Sequence, residues 1–217
     1  MTSIIQTALV AVILLSNSLI SGVQPAPQKK PKNPAPPAAV QTKIYNIVPA
    51  ESSLTAFVAK AGALSFLAHD HNIAVRSYSG RVVVPAAGPA QGSLELDIDA
   101  KSLALLDKVS ESDRKEITHS MNTAVLESGK FPKITFRSIS ISNFNGSSLT
   151  VNGDLTLHGT TKRIAVPVTV SATPQLLRAT GKFVLKQTDF GITPYSAAAG
   201  SIKVKNEVVI SFNIVAR

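Results

Sequence analysis

Residues 149–170 read LTVNGDLTLHGTTKRIAVPVTV, and this stretch decides the fold. Before the His158-Gly159 pair, Leu149, Val151, Leu155 and Leu157 share one phase, against Thr150, Asn152, Asp154 and Thr156 on the other. After it, Ile164, Val166, Val168 and Val170 alternate with Ala165, Pro167, Thr169 and Ser171. A period of two separates the faces of a strand, so each half is a strand with one apolar and one wet face. Pro167 falls on the polar phase and has no N–H to give a ladder, which predicts an edge or a bulge.

The same period runs outward in both directions. Leu94, Leu96 and Ile98 alternate with Glu95, Asp97 and Asp99, and Ile134 and Phe136 with Lys133, Thr135 and Arg137. Phe183 with Leu185, and Val208 with Ile210, Phe212 and Ile214, complete the series. Turn residues punctuate it: Asn145 and Gly146 before one strand, Gly159 after another, Gly181 and Gly200 before two more. About eight half-buried antiparallel strands must close into a barrel or stack as a sandwich. One segment departs from this period. Ser110 and Asp113 form a capping-box-like start, and Ile117, Met121 and Ala124 recur at helical spacing before Gly129 and Pro132 end the run. This predicts a helix over about 111–127 packed at the barrel mouth, with Ile117 and Met121 facing the barrel and Arg114, Lys115 and Asn122 facing water.

Upstream of the strands the composition changes. Ile4 to Leu15 is an apolar run broken only by Gln6 and Thr7, and Ser16, Asn17, Ser18, Ser21 and Gly22 follow. Residues 1–22 therefore read as a secretory signal peptide, cleaved after Ser18 or Gly22. The run is shorter than the ~20 apolar residues of a membrane span. Residues 23–42 form a linker rich in Pro and Lys, and Pro25, Pro27, Pro31, Pro34, Pro36 and Pro37 forbid helix and ladder alike. The globular domain then covers 43–217, in a periplasmic or secreted protein.

Charge and composition exclude several functions. The net charge is +9, but no run of five like charges occurs, only 5% of residues are aromatic and Trp is absent, so a nucleic-acid partner is not expected. With no Cys, disulfides, thiolate metal sites and cysteine nucleophiles are ruled out. No phosphate-binding glycine loop or nucleophile elbow is present, so no catalytic residue is assigned. The remaining cluster is His69-Asp70-His71 with His119 and His158. In an extended segment His69 and His71 share a face, and His119, His158 or Asp70 offers a third ligand for a divalent metal. The competing reading gives Asp70 a turn, His119 the wet side of its helix and His158 a hydrogen bond at its hairpin.

Four segments carry a family resemblance: Tyr45-Asn-Ile-Val-Pro49-Ala-Glu-Ser-Ser53-Leu, Ser128-Gly-Lys-Phe-Pro132-Lys-Ile-Thr-Phe136, Gly153-Asp-Leu-Thr-Leu-His158-Gly159-Thr-Thr-Lys162 and Thr188-Asp189-Phe190-Gly191-Ile192. Their order and spacing resemble the YceI-like polyisoprenoid-binding proteins across 43–217. The resemblance implies an all-β, antiparallel, eight-stranded lipocalin-like barrel with one helix. It also implies a non-enzymatic carrier or sequestering role for a long isoprenoid chain or similar amphiphile, such as a polyprenyl quinone or polyprenyl phosphate, with no cofactor beyond that lipid. Leu94, Leu96, Ile98, Ile134, Phe136, Leu155, Leu157, Phe183, Leu185 and Met121 are then the expected apolar lining; a solid core is the alternative use of the same residues. A metal-dependent protein of the same fold, built on His69 and His71, is the alternative function. Transient membrane contact and a homodimer through an edge or exposed patch are partner arrangements left open.

Overall fold

The computed structural model describes residues 41–65 and 69–217. The expected signal peptide and all but the last two residues of the expected linker lie outside the described residues. Twelve strands make one antiparallel sheet: β1 Lys43–Asn46, β2 Ser53–Ala61, β3 His71–Val75, β4 Tyr78–Val84, β5 Ser93–Asp99, β6 Leu103–Leu105, β7 Lys133–Ser142, β8 Ser148–Leu157, β9 Thr160–Ala172, β10 Leu177–Lys186, β11 Ser196–Ala197 and β12 Ile202–Ala216.

The sheet curls until it closes. Its ladders run β5-β7-β8-β9-β10-β12-β2-β3-β6, and β6 follows β5 after one 3-10 turn at Ala100–Ser102. β3 and β4 are likewise one bent strand, because only Arg76 and Ser77 separate them, and bonds from Arg76 N–H to Ser102 O and Asp99 N–H to Ser77 O carry the ladder through the corner. Counted through their bends, and setting aside β1 and the two-residue β11, the segments make the eight strands of the expected barrel. The larger segment count comes from the two corners. β1 pairs with β4, and Ile47 bridges to Ala216 of β12, so the N-terminal strand fills the wall where β4 diverges from β2.

Alternation dictates which side chains face inward. Leu149, Val151, Leu155 and Val166 are buried with Phe136 in one interior cluster, and Tyr45, Leu54, Ile98 and Leu177 in a second. The β8–β9 hairpin turns through His158 and Gly159, both at positive φ, with Leu157 opposite Thr160. Beside Pro167 the β9–β10 ladder stops at Thr169 and Thr180. Below that point a 3-10 turn at Gln187–Phe190 packs against both strands and sends Phe190 and Ile192 into the core. Gly181 corrects one expectation: it lies inside β10, where a Cβ would meet the Phe212 ring at 2.3 Å and Pro167 O at 2.5 Å. It makes room for a close approach and forms no turn.

The helix begins as expected. α1 spans Glu111–Ser120, and the Ser110 hydroxyl accepts the Asp113 N–H at 3.1 Å. It ends differently, in a π-helical turn at Met121–Val125, followed by Glu127 at φ 43°. The wider turn drives Met121 and Leu126 into the core while Ala124 stays exposed, so the expected stripe through Ala124 is not the packed one. Arg114 does not point to water either. Its guanidinium donates to Leu105 O and Asp107 O, both at 2.7 Å, and fastens the helix to the end of β6. Asn122 likewise turns inward, donating to Thr118 O and accepting from the buried Ser128 hydroxyl at 2.8 Å.

Candidate functional site

The inward faces of the strands enclose a cavity of about 520 Å³. All ten apolar residues expected to line the interior stand on its wall, Met121 among them. The strands supply them because one face of each is apolar and the sheet has closed with that face inside. Yet the filling is incomplete. Ile134, Leu157, Phe183 and Leu185 face inward but are only half-buried, because empty space rather than another side chain lies in front of them. A close-packed core would leave such residues without access.

Two glycines keep the lumen clear of aromatic rings. The Phe136 ring lies over Gly153, within 2.4 Å of where a Cβ would stand, and the Phe212 ring lies over Gly181 in the same way. Each ring therefore flattens against the wall. The wall is almost wholly hydrocarbon; among the described residues Lys186 is its one charged residue, and Thr55, Ser93, Ser171 and Gln187 supply the remaining polar side chains. Such a surface recognises chain length and girth rather than a pattern of hydrogen bonds.

The two ends differ. At the helix end the lining residues Met121, Leu126, Gln187 and Ile192 are buried, and Gln187 is held by donation to Lys205 O at 2.8 Å. At the opposite end, formed by the β4–β5, β7–β8 and β9–β10 turns, the lining residues Ser93, Phe144, Gly146, Ser171 and Ala172 are exposed. The helix thus closes one mouth of the barrel, and the hairpin-ringed mouth is the open one.

The histidines do not gather. His69 and His119 are exposed, and neither shares a site with the other two. The His71 Nδ1 meets Asp107 Oδ2 at 3.1 Å, and Asp70 accepts the Lys60 N–H instead of facing a metal. Burial pushes the Asp107 carboxyl up, but the Asn72 and His71 hydrogen bonds outweigh it and hold it below its ordinary value. Among the described residues no three His, Cys, Asp or Glu side chains come together as metal ligands. The expected grouping of His69, His71, His119 and His158 is therefore corrected, because their elements put them in separate surroundings.

His158 instead organises the closed end. Its Nε2 lies 2.7 Å from Glu127 Oε2 and its Nδ1 3.3 Å from Phe190 O, with the Phe131 ring centroid 4.5 Å from its own. Glu127 was not singled out in the sequence, and Phe131 stood there only as part of a resemblance segment. Phe131, His158 and Phe190 come from three of the four resemblance segments, so those motifs build the closed end as well as part of the lumen wall, to which they give Ile134, Phe136, Leu155 and Leu157.

Comparison with known proteins agrees with this architecture. The sequence matches the YceI-like domain over residues 45–216. A UPF0312 protein from Shewanella oneidensis is 31% identical over 121 residues, which is 53% of this chain and 60% of that protein. The match thus spans less than two thirds of that relative's length. The crystal structure of Burkholderia cenocepacia BcnA is similar at 26% identity with a TM-score of 0.64, covering 79% of this chain and 99% of that one. A polyisoprenoid-binding domain from Saccharophagus degradans, implicated in plant cell wall breakdown, shares the fold at 15% identity and a TM-score of 0.58, over 80% of this chain and 97% of its own. The chain belongs to the YceI-like family.

Proposed function

We propose that the barrel binds the apolar tail of a long-chain isoprenoid or similar amphiphile in its lumen, as a carrier or sequestering protein rather than an enzyme. The observation that carries this is the cavity of about 520 Å³ bounded by one apolar face of every barrel strand. Its size lies in the range of pockets for small molecules. Each methylene removed from water contributes about 0.8 kcal/mol, so ~10 of them supply ~8 kcal/mol before the costs of association. That suffices for holding a chain without a dedicated polar contact. The polyisoprenoid-binding domain of similar fold and the membership in the YceI-like family support the same class of ligand. The apolar run of residues 4–15 supports work in the periplasm or outside the cell, where such a tail needs a carrier.

The test is organic extraction of protein purified from its native host, followed by mass spectrometry. The expected result is a prenyl lipid approaching one per chain. Extracts with no apolar chain compound above the level of an unrelated periplasmic protein would overturn the proposal.

A further inference from the structure

We propose that the hairpin-ringed mouth docks on an anionic phospholipid surface, where the lumen exchanges its ligand directly with the bilayer. The exchange rests on the ligand reading above; the docking does not. Three of the stretches that build this rim, residues 82–94, 138–153 and 164–177, contain no charged residue, in a chain with 22 Lys and Arg and 13 Asp and Glu, and the fourth, where β12 ends and β2 begins, carries the Glu51–Arg217 pair. Uncharged rims occur where charge would be costly to desolvate, and a soluble surface has no such need. Phe144 on the β7–β8 turn both lines the lumen and is 43% exposed, and Ala86, Ala87 and Ala90 of the β4–β5 turn are exposed at the same end.

Charge flanks the rim on the outside, and its sign fits the partner. Lys43 opens β1 opposite Val84 at this end, Lys182 borders a groove with Asn143 and Asn145, and Arg178 stands one residue into β10. Glu51 on the same flank is already paired with Arg217. The closed end carries both signs, since Lys108, Lys115, Lys130 and Lys133 are exposed there as well as Glu111, Asp113 and Glu116. Only the open end combines basic flanks with uncharged turns around a lumen mouth, and that combination suits an anionic headgroup layer. A tail passing from bilayer to lumen there never crosses water.

The absence of Trp gives a clean test. Phe144→Trp and Val184→Trp are made in the full chain; Val184, on the outer face of β10 and 57% exposed, is the control. Each is mixed with vesicles of phosphatidylcholine and phosphatidylglycerol whose acyl chains are brominated. Phe144→Trp should shift to the blue and lose most of its emission, Val184→Trp should keep it, and phosphatidylcholine alone should give a weaker loss. Equal quenching at both positions, or quenching at neither, overturns the proposal, including the case in which a second copy covers the mouth. Extraction separates the two readings. Extracts without prenyl lipid beside a quenched Phe144→Trp remove the carrier and keep the docking; prenyl-rich extracts beside an unquenched Phe144→Trp do the reverse.

Discussion

Glu127 Oε2 and His158 Nε2 lie 2.7 Å apart, joining the residue that ends the helical segment to the turn of the β8–β9 hairpin. Glu127 itself sits at φ 43°, and its carbonyl accepts the N–H groups of Lys130 and Phe131. The contact therefore fixes a tight turn as well as a side chain. Because the other ring nitrogen faces Phe190 O, His158 ties three separate elements to one another at the closed end.

A double-mutant cycle measures this tie. Glu127→Gln keeps an acceptor without the charge, and His158→Asn suits the positive φ of the hairpin while removing the ring. Glu127 is 41% exposed, so the charge by itself contributes little. We expect a coupling of about 1 kcal/mol in urea unfolding. Additivity within ~0.3 kcal/mol would show that the pair does not hold the closed end.

Much of the fold was legible because a strand announces its faces at every second residue. β5, β7, β8, β9 and β12 read directly, and so did the lumen wall, since the apolar phase must turn away from water. β2, β3 and β4 were obscured for local reasons. Ala56, Ala59 and Ala61 blunt the contrast along β2, and Gly80 together with the corner at Arg76 and Ser77 interrupts β3 and β4. The closed end was illegible for another reason. Glu127, Phe131, His158 and Phe190 meet from turns far apart in the chain, and no periodicity encodes a turn-to-turn contact. The empty lumen was also out of reach, because the same apolar residues could pack solid, and alternation does not tell that Phe136 and Phe212 lie flat over Gly153 and Gly181.

Gly181→Ala tests that last point. Alanine favours an ordinary strand over glycine, so propensity alone predicts a slight gain. Here the added methyl meets the Phe212 ring and, less forgivingly, Pro167 O at 2.5 Å. A loss of about 1–3 kcal/mol is expected in chemical unfolding, as for overpacking elsewhere. A stability equal to wild type would mean that the β9 and β10 backbones separate freely at this point.

The Asp107 carboxyl makes the acid stability of the β3–β6 pairing depend on pH. Burial raises its pKa and the bonds from Asn72 and His71 lower it further than that, so the folded value lies below the unfolded value of about 3.9. A depressed carboxylate contributes stability above the unfolded value, and that contribution disappears as pH falls through the folded one. Asp107→Asn should therefore be less stable than wild type at neutral pH, and the gap should close below about pH 4. A gap that stays constant across that range would assign the loss to hydrogen bonding alone.

Met121 and Phe144 stand at the two ends of one lumen, and substitution by Asp should separate closure from passage. Met121 is 8% exposed and lies in the interior cluster with Phe136 and Leu155. An acid placed there lacks a partner, so Met121→Asp should cost about 3 kcal/mol in the ligand-free protein. Phe144 is 43% exposed on a turn, and Phe144→Asp should change stability by no more than about 0.5 kcal/mol. The rates should sort the other way. If the tail leaves through the hairpin-ringed mouth, stopped-flow displacement of a fluorescent prenyl analogue should change several-fold in Phe144→Asp. In Met121→Asp it should change only at denaturant levels where the fold itself opens. A faster off-rate in Met121→Asp under fully native conditions, with Phe144→Asp at the wild-type rate, would make the helix end the route and the hairpin rim a bystander.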